Sequence, residues 1–385
     1  MMPSIIKVKS QINFGRMYSH TQQQFSAKRD TIVMEKQLIL VAAMVCVALN
    51  TSSAQFLPKK CSPDRICIPF KDCADYRSYA GTSSKKWPKE VQNEVKSLIC
   101  DVEHQAPGKK LYKICCLKAG RHLLDMENCG KQVTNRIAHG KVATAFQFPW
   151  MALLRGRDGK FHCGGTLIAQ RYVLTAAHCR RKPVYSVRLG ETDLSTPIDC
   201  IKYIDGEEEC AEPPQDILAE KFIKHPKYSP SQKKNDIALI KLASPALLND
   251  NVRPICLPLE EVLGNIAQTK MLVSGWGFTE NDTEFSNQLR FAYVPIVDPR
   301  QCNESLALSS NVLTVDESQL CAGGGNDKAD NCQGDSGGPL KYFGNGKYVI
   351  HGVVSFGQAT CGVVSEPGVY TKVEHYLEWI IDNLQ

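Results

Sequence analysis

Three short stretches carry residue types that can do chemistry together: TAAHC at 175–179, NDIAL at 235–239 and GDSGG at 334–338. A serine hydroxyl is a poor nucleophile until a histidine takes its proton and a carboxylate fixes the imidazole tautomer and steadies the imidazolium that forms. Ser336, His178 and Asp236 are the residues able to fill those roles. Singly, each has a duller explanation: a histidine beside a cystine half, an aspartate capping a strand, a serine in a glycine turn. Occurring jointly in the order His, Asp, Ser, they outweigh those explanations and predict nucleophilic catalysis by an activated serine.

Such residues need a rigid scaffold. After Ile137 the chain breaks into short β-rich runs punctuated by Gly, Pro and Asn, among them MLVSGWG, FAYVPIV and KYVIHGVVSFG. This texture predicts an antiparallel all-β body. Only KVEHYLEWIIDNL has clear helical periodicity there, with Val373, Tyr376, Leu377, Ile380 and Ile381 on one side, so a terminal helix is expected. The sequence holds no internal repeat and no low-complexity tract.

The length of 385 residues allows two or three domains, and 17 cysteines point to an oxidising compartment. Met34 opens a stretch with Lys36, an apolar run from Leu38 to Leu49 and small residues ending at Ala54, the pattern of a secretory signal over 34–54. The twelve apolar residues fall short of the ~20 that a spanning helix needs. Residues 1–33 then read as a non-structural extension, and cleavage after Ala54 removes Cys46 and leaves an even set of cysteines.

Cys61, Cys67, Cys73, Cys100, Cys115 and Cys116 crowd into a small module, 55–117, of the kind stapled because its core is too small. A metal reading fits the module poorly, since it holds no C-x-x-C pair. Within it, WPKEVQNEVKSLIC places Pro88 near a helix start and Val91, Val95, Leu98 and Ile99 at helical spacing. From Lys118 to Arg136 the chain is polar and aperiodic and holds only Cys129, as in an exposed linker.

Charge divides along the same boundary. Lysines and arginines outnumber acidic residues 16 to 9 over 55–136, whereas 137–385 carries 24 basic and 29 acidic residues. The basic residues are scattered and lack aromatic interleaving, so nucleic acid is not an expected partner. Solvation explains the charged faces, with docking of the basic module on acidic surfaces as the alternative reading.

The three motifs, together with FPWMALL, CGGTLI, RPICLP, SGWG and PGVYTKV in the same order, resemble the trypsin-like (chymotrypsin-fold) serine proteases across 137–385. The resemblance implies two six-stranded antiparallel β-barrels with His178, Asp236 and Ser336 in the cleft between them, and an oxyanion hole from the N–H groups of Gly334 and Ser336. It also implies an activation bond at Arg136-Ile137 in the stretch VTNRIAHG, after whose cleavage the new Ile137 ammonium would pair with Asp335. Ala138-His139 departs from the family's commoner Val-Gly but retains the amine and the Ile side chain. Asp330 would sit at the base of the primary pocket, with Gly357 and Gly368 as walls, so cleavage after Arg or Lys is expected. Phe356 replaces the usual tryptophan beside that pocket, and Pro367 stands where sodium-regulated relatives carry an aromatic residue, so sodium activation is not expected.

The cysteine module resembles the clip domain of insect proteases of the Easter and Grass type. That resemblance implies the pairs Cys61–Cys115, Cys67–Cys100 and Cys73–Cys116, then Cys163–Cys179, Cys302–Cys321 and Cys332–Cys361, with Cys129 of the linker joined to Cys256 and Cys200 to Cys210. From sequence alone many other connectivities remain open. In LGETDLSTPIDC, Glu191, Thr196 and Asp199, with a carbonyl or carboxylate at Asp193, offer oxygen ligands suited to a structural calcium ion, which related clip proteases bind in this loop. An acidic solvated loop is the competing reading, and the chemistry itself needs no cofactor. Asn281 and Asn303 begin N-x-S/T sequons in expected loops.

These features predict a secreted serine endopeptidase zymogen in an extracellular proteolytic cascade, such as Toll signalling or melanisation. The implied partners are an upstream trypsin-like activating protease, a downstream protein substrate, for which another protease zymogen is one option, and a serpin-type inhibitor. A catalytically dead homologue acting as a binding module usually lacks the reactive serine, which is present here. A digestive enzyme would not need the tethered clip module.

Overall fold

A computed structural model describes residues 59–106, 109–132, 142–203, 205–259, 262, 270–277, 286–309, 313–324, 334–357 and 367–385. The signal segment, Arg136, Ile137, Asp330, Asn281 and the Cys332–Cys361 pair lie outside them.

The N-terminal module is a three-stranded antiparallel sheet of β1 (Arg65–Pro69), β2 (Ile99–Ala106) and β3 (Lys109–Leu117), with β3 central. Helix α1 (Lys89–Ser97) follows Pro88 and turns Val91 and Val95 onto buried Ile114, Tyr76, Cys73 and Cys116. Few apolar side chains are buried there. The bonds Cys61–Cys115, Cys67–Cys100 and Cys73–Cys116 close loops of 54, 33 and 43 residues, for which the chain-entropy model gives about 3–4 kcal/mol each.

The linker reading requires correction. Ala119–Leu123 forms a short 3-10 turn, and Lys118, Arg121, Leu124 and Cys129 are buried. Lys118 Nζ reaches Glu378 at 3.2 Å and Asp382 at 2.9 Å, while Arg121 Nε meets Asp64 of the clip module at 3.3 Å. Polar composition misleads here because both long cations find carboxylates on neighbouring elements. Leu124 and Cys129 join the main hydrophobic core, and Cys129 bonds to Cys256.

The first closed barrel contains β4 (Met151–Gly156), β5 (Phe161–Ala169), β6 (Tyr172–Thr175) and β7 (Val184–Leu189). A small hairpin of β8 (Cys200–Lys202) and β9 (Glu208–Cys210), clasped by Cys200–Cys210, leads into β10 (Gln215–Lys224) and β11 (Ala238–Leu242), which complete that barrel. The second closed barrel contains β12 (Lys270–Gly275), β13 (Arg290–Val297), β14 (Gln319–Ala322), β15 (Pro339–Gly344), β16 (Lys347–Phe356) and β17 (Gly368–Lys372). All strand pairings in both barrels are antiparallel, as the β-rich punctuation predicts.

Helix α2 (Pro299–Ser309) was not expected. Its signals are brief: Asp298 accepts from the Arg300 N–H at the start, and Cys302 and Leu306 are its buried positions. Cys302 bonds to Cys321 of β14. Asn303 therefore sits in a helix rather than a loop, with Nδ2 donating to the Val315 carbonyl at 3.3 Å and Oδ1 accepting from the Val315 N–H at 2.7 Å. A glycan on Nδ2 would take one of its two hydrogens and leave the Oδ1 acceptor in place. The terminal helix begins as a 3-10 turn, Val373–Tyr376, and continues as α3 (Leu377–Asp382). Its predicted apolar side is buried, each large aliphatic contributing about 1.5–3 kcal/mol.

Candidate active site

His178 lies in a 3-10 turn, Ala177–Arg181, directly after β6, and the neighbouring Cys179 is bonded to Cys163 of β5. Asp236 precedes β11, which pairs with β6 so that Ala238 faces Thr175. This register brings the two residues together. His178 Nδ1 is 2.7 Å from Asp236 Oδ2, and the His178 backbone N–H donates to Oδ1 at 2.9 Å. Since a carboxylate only accepts, the contact fixes a proton on Nδ1 and leaves Nε2 to serve as the base.

Two further residues hold Asp236 in place, one at its carboxylate and one at its main-chain carbonyl. Ser355 Oγ donates to Asp236 Oδ2 at 2.6 Å, and Thr371 Oγ1 donates to the Asp236 carbonyl at 2.8 Å. Sequence reading missed both, because each is an ordinary polar residue within a strand of the second barrel. The one available signal is that Ser355 is two residues before Gly357, a predicted pocket wall.

Ser336 occupies the turn leading into β15. Its carbonyl accepts from the Gly164 N–H at 2.8 Å, which ties the turn to β5 beside the Cys163–Cys179 bond. Gly337 adopts φ +82°, and a Cβ there would lie 2.2 Å from Thr175 Oγ1, so only glycine allows the turn to approach β6 this closely. The structure thus lays the serine turn against the strand that delivers His178. Among the described residues no hydrogen bond joins Ser336 Oγ to the imidazole, and the N–H groups of Gly334 and Ser336 have no partner.

Asp335 points into a cradle made by the SGWG segment. Its Oδ1 accepts from the Gly277 N–H at 2.8 Å. A Cβ on Gly275 would lie 2.0 Å from that oxygen, and one on Gly277 would lie 2.6 Å from the carboxyl carbon. The glycines of SGWG are therefore explained by the carboxylate they admit. Of the predicted pocket walls, Gly357 follows β16 and Gly368 opens β17; Phe356 pairs with Val369, which sets the two glycines across from each other at one end of that ladder.

In the acidic loop, Glu191 and Asp199 are buried. Burial, then the charge of Asp199, push the Glu191 carboxyl above its ordinary value. Arg188 Nη1 meets Glu191 Oε2 at 3.2 Å and offsets part of that charge, and the oxygen-rich pair of Glu191 and Asp199 is of the kind that suits a divalent cation. The Asp193 carboxylate is turned elsewhere, accepting from the Ser195 N–H at 3.0 Å and from Gln288 Nε2 at 3.1 Å. Asp199 already accepts from the Thr192 N–H and from Thr196 Oγ1, both at 2.7 Å. The residues that fit an ion are accordingly Glu191, Asp199, Thr196 and the main-chain carbonyl of Asp193.

Two closed six-stranded barrels, with a His–Asp pair on one and a serine turn from the other laid against it, define a chymotrypsin-fold serine peptidase. The Trypsin family model matches residues 137–380, and the chain belongs to that family, among its clip-domain members. It is 34% identical over 362 residues to phenoloxidase-activating factor 3 of Holotrichia diomphalia, covering 90% of this chain and 99% of the relative. It is 42% identical to melanization protease 1 of Drosophila melanogaster, over 70% of each chain. The crystal structure of the Drosophila Grass clip serine protease of the Toll pathway superposes with a TM-score of 0.60 at 33% identity, covering 84% of this chain and 96% of that one. The chain is a serine endopeptidase. Among the described residues no helix is long and apolar enough to cross a membrane.

Proposed function

We propose that the chain is a secreted zymogen, activated by cleavage of Arg136-Ile137, that cuts after Arg or Lys in an extracellular proteolytic cascade of innate immunity. The observation that carries this reading is Asp335 in its glycine cradle, one residue before Ser336 and lodged against Gly275 and Gly277. The new Ile137 amine supplies the cation that pairs with it. Its docking shapes the turn that carries Gly334 and Ser336.

In the activated form Ser336 Oγ attacks the scissile carbonyl while His178 Nε2 takes its proton, with Asp236 steadying the imidazolium. Gly334 and Ser336 N–H groups hold the oxyanion, each worth about 3 kcal/mol in comparable sites. The histidine then protonates the leaving amine, and water, activated by the same imidazole, releases the acyl group.

Asp330 sets the preference for a basic residue before the cut. A carboxylate at the base of a slot is costly to desolvate unless a cation meets it, and arginine's fork meets it best. Peptides differing only at that residue, assayed on activated enzyme and on Asp330→Ser, test the assignment. Arg and Lys peptides should dominate in the first and lose their lead in the second; equal turnover after Phe or Leu in the unmutated enzyme contradicts it.

The relatives' names, which speak of phenoloxidase activation, melanization and the Toll pathway, support a cascade role. The partners are then an upstream trypsin-like protease, a downstream zymogen and a serpin-type inhibitor. We also assign a structural calcium ion to Glu191, Asp199, Thr196 and the Asp193 carbonyl. Calcium at 100 times its Kd should stabilise the protein by about 2.7 kcal/mol, raising Tm, and Glu191→Gln should remove that gain. An unchanged Tm would leave an ordinary hydrogen-bonded loop.

A further inference from the structure

Lys341, in β15 only five residues after Ser336, is 0% exposed. Among the described residues no carboxylate pairs with it. Its Nζ donates to Ser274 Oγ of β12 and lies 4.0 Å from the centre of the Phe148 ring and 6.0 Å from that of Trp150. Burial pushes the amine well below its ordinary value, while the ring faces favour the ammonium; either form can donate to Ser274.

Such a group is hard to explain by stability. Replacing a buried charge with an apolar side chain of similar volume is often neutral or stabilising. The neighbours point to another role. Lys341 and Ser274 belong to the second barrel, whereas Phe148 and Trp150 lead into β4 of the first. The Ser274 hydroxyl, in turn, donates to Met151 Sδ of β4 at 3.1 Å. Beyond Ser274 the chain continues into Gly275 and Gly277, the cradle of Asp335. The amine thus sits where the barrels meet, between the strand that starts at the serine turn and the segment that seats the activation carboxylate.

We propose that Lys341 is a positioning residue: through Ser274, Phe148 and Trp150 it clamps the barrel carrying Ser336 to the barrel carrying His178 and Asp236, and so sets the serine against the imidazole. This rests on the roles assigned above to those three residues. It touches no substrate. Its effect belongs to the alignment of reacting atoms, where a displacement of about 1 Å costs up to about 10²-fold in rate.

The test compares Lys341→Met, Phe148→Leu and the double variant with wild type, all activated in parallel, reading kcat, KM and Tm. Lys341→Met should keep or raise Tm, lower kcat by about tenfold and leave KM within about twofold. Phe148→Leu should lower kcat less, and the double variant should fall no further than Lys341→Met, because both act through one contact. A wild-type kcat in Lys341→Met overturns the proposal. So does a variant that fails to fold, which would make the lysine a requirement of the fold, or a change confined to KM. Loss of turnover in every protein, wild type included, would instead strike the activation reading.

Discussion

Asp236→Asn is expected to lower kcat by about 10⁴-fold near neutral pH with little change in KM. The carboxylate accepts from His178 Nδ1, from the His178 backbone N–H and from Ser355 Oγ, with contacts of 2.7, 2.9 and 2.6 Å. An amide has one acceptor oxygen and one donor nitrogen in place of two acceptors. Whichever way it turns, it loses either the N–H of His178 or the proton on Nδ1. The second outcome puts the imidazole proton on Nε2, where the base must be empty. Steady-state kinetics on an arginine ester measures the effect, and a loss below about tenfold would mean that His178 is oriented by other groups.

Asp335→Asn should be costly by a different route. The variant should still be cut at Arg136-Ile137, yet show kcat/KM lower by about 10²- to 10³-fold, because deleting one partner of a buried ion pair costs roughly 3–5 kcal/mol. The glycine cradle has no room for the chain to adapt, since Gly275 and Gly277 already pack against the carboxyl. Ile137→Gly keeps the amine and loses only the apolar anchor, so it should be cleaved and feebly active, with a smaller deficit. Full activity in cleaved Asp335→Asn would remove the carboxylate from the switch.

The antiparallel all-β body was legible because strands with short turns leave local marks, whereas its division into two six-stranded barrels came from the family resemblance; the His, Asp and Ser motifs were legible because each sits in a strand-end turn of unusual composition. What escaped depends on tertiary burial. Lys118 and Arg121 read as solvent-facing, since nothing in the chain near them announces Glu378, Asp382 or Asp64. Helix α2 escaped because only Cys302 and Leu306 among its described side chains are buried, too few to establish a period. Ser355, Thr371 and Lys341 are ordinary strand residues by sequence. Their importance arises only when β16, β17 and β15 close against the first barrel. The acidic loop offered four oxygen donors, but the turn of the Asp193 carboxylate toward Ser195 and Gln288 is a matter of packing.

The central claim is that cleavage of Arg136-Ile137 switches on Ser336. Labelling with a fluorophosphonate before and after treatment with an arginine-directed protease tests it most directly, with the products run on gels. The account predicts faint labelling of the intact chain and near-stoichiometric labelling after the cut, on Ser336. It also predicts one band without reductant and two with it, because the Cys129–Cys256 bond spans the cleaved position. Equal labelling of cut and uncut chains would contradict the switch, and a labelled fragment that separates without reductant would contradict the tether.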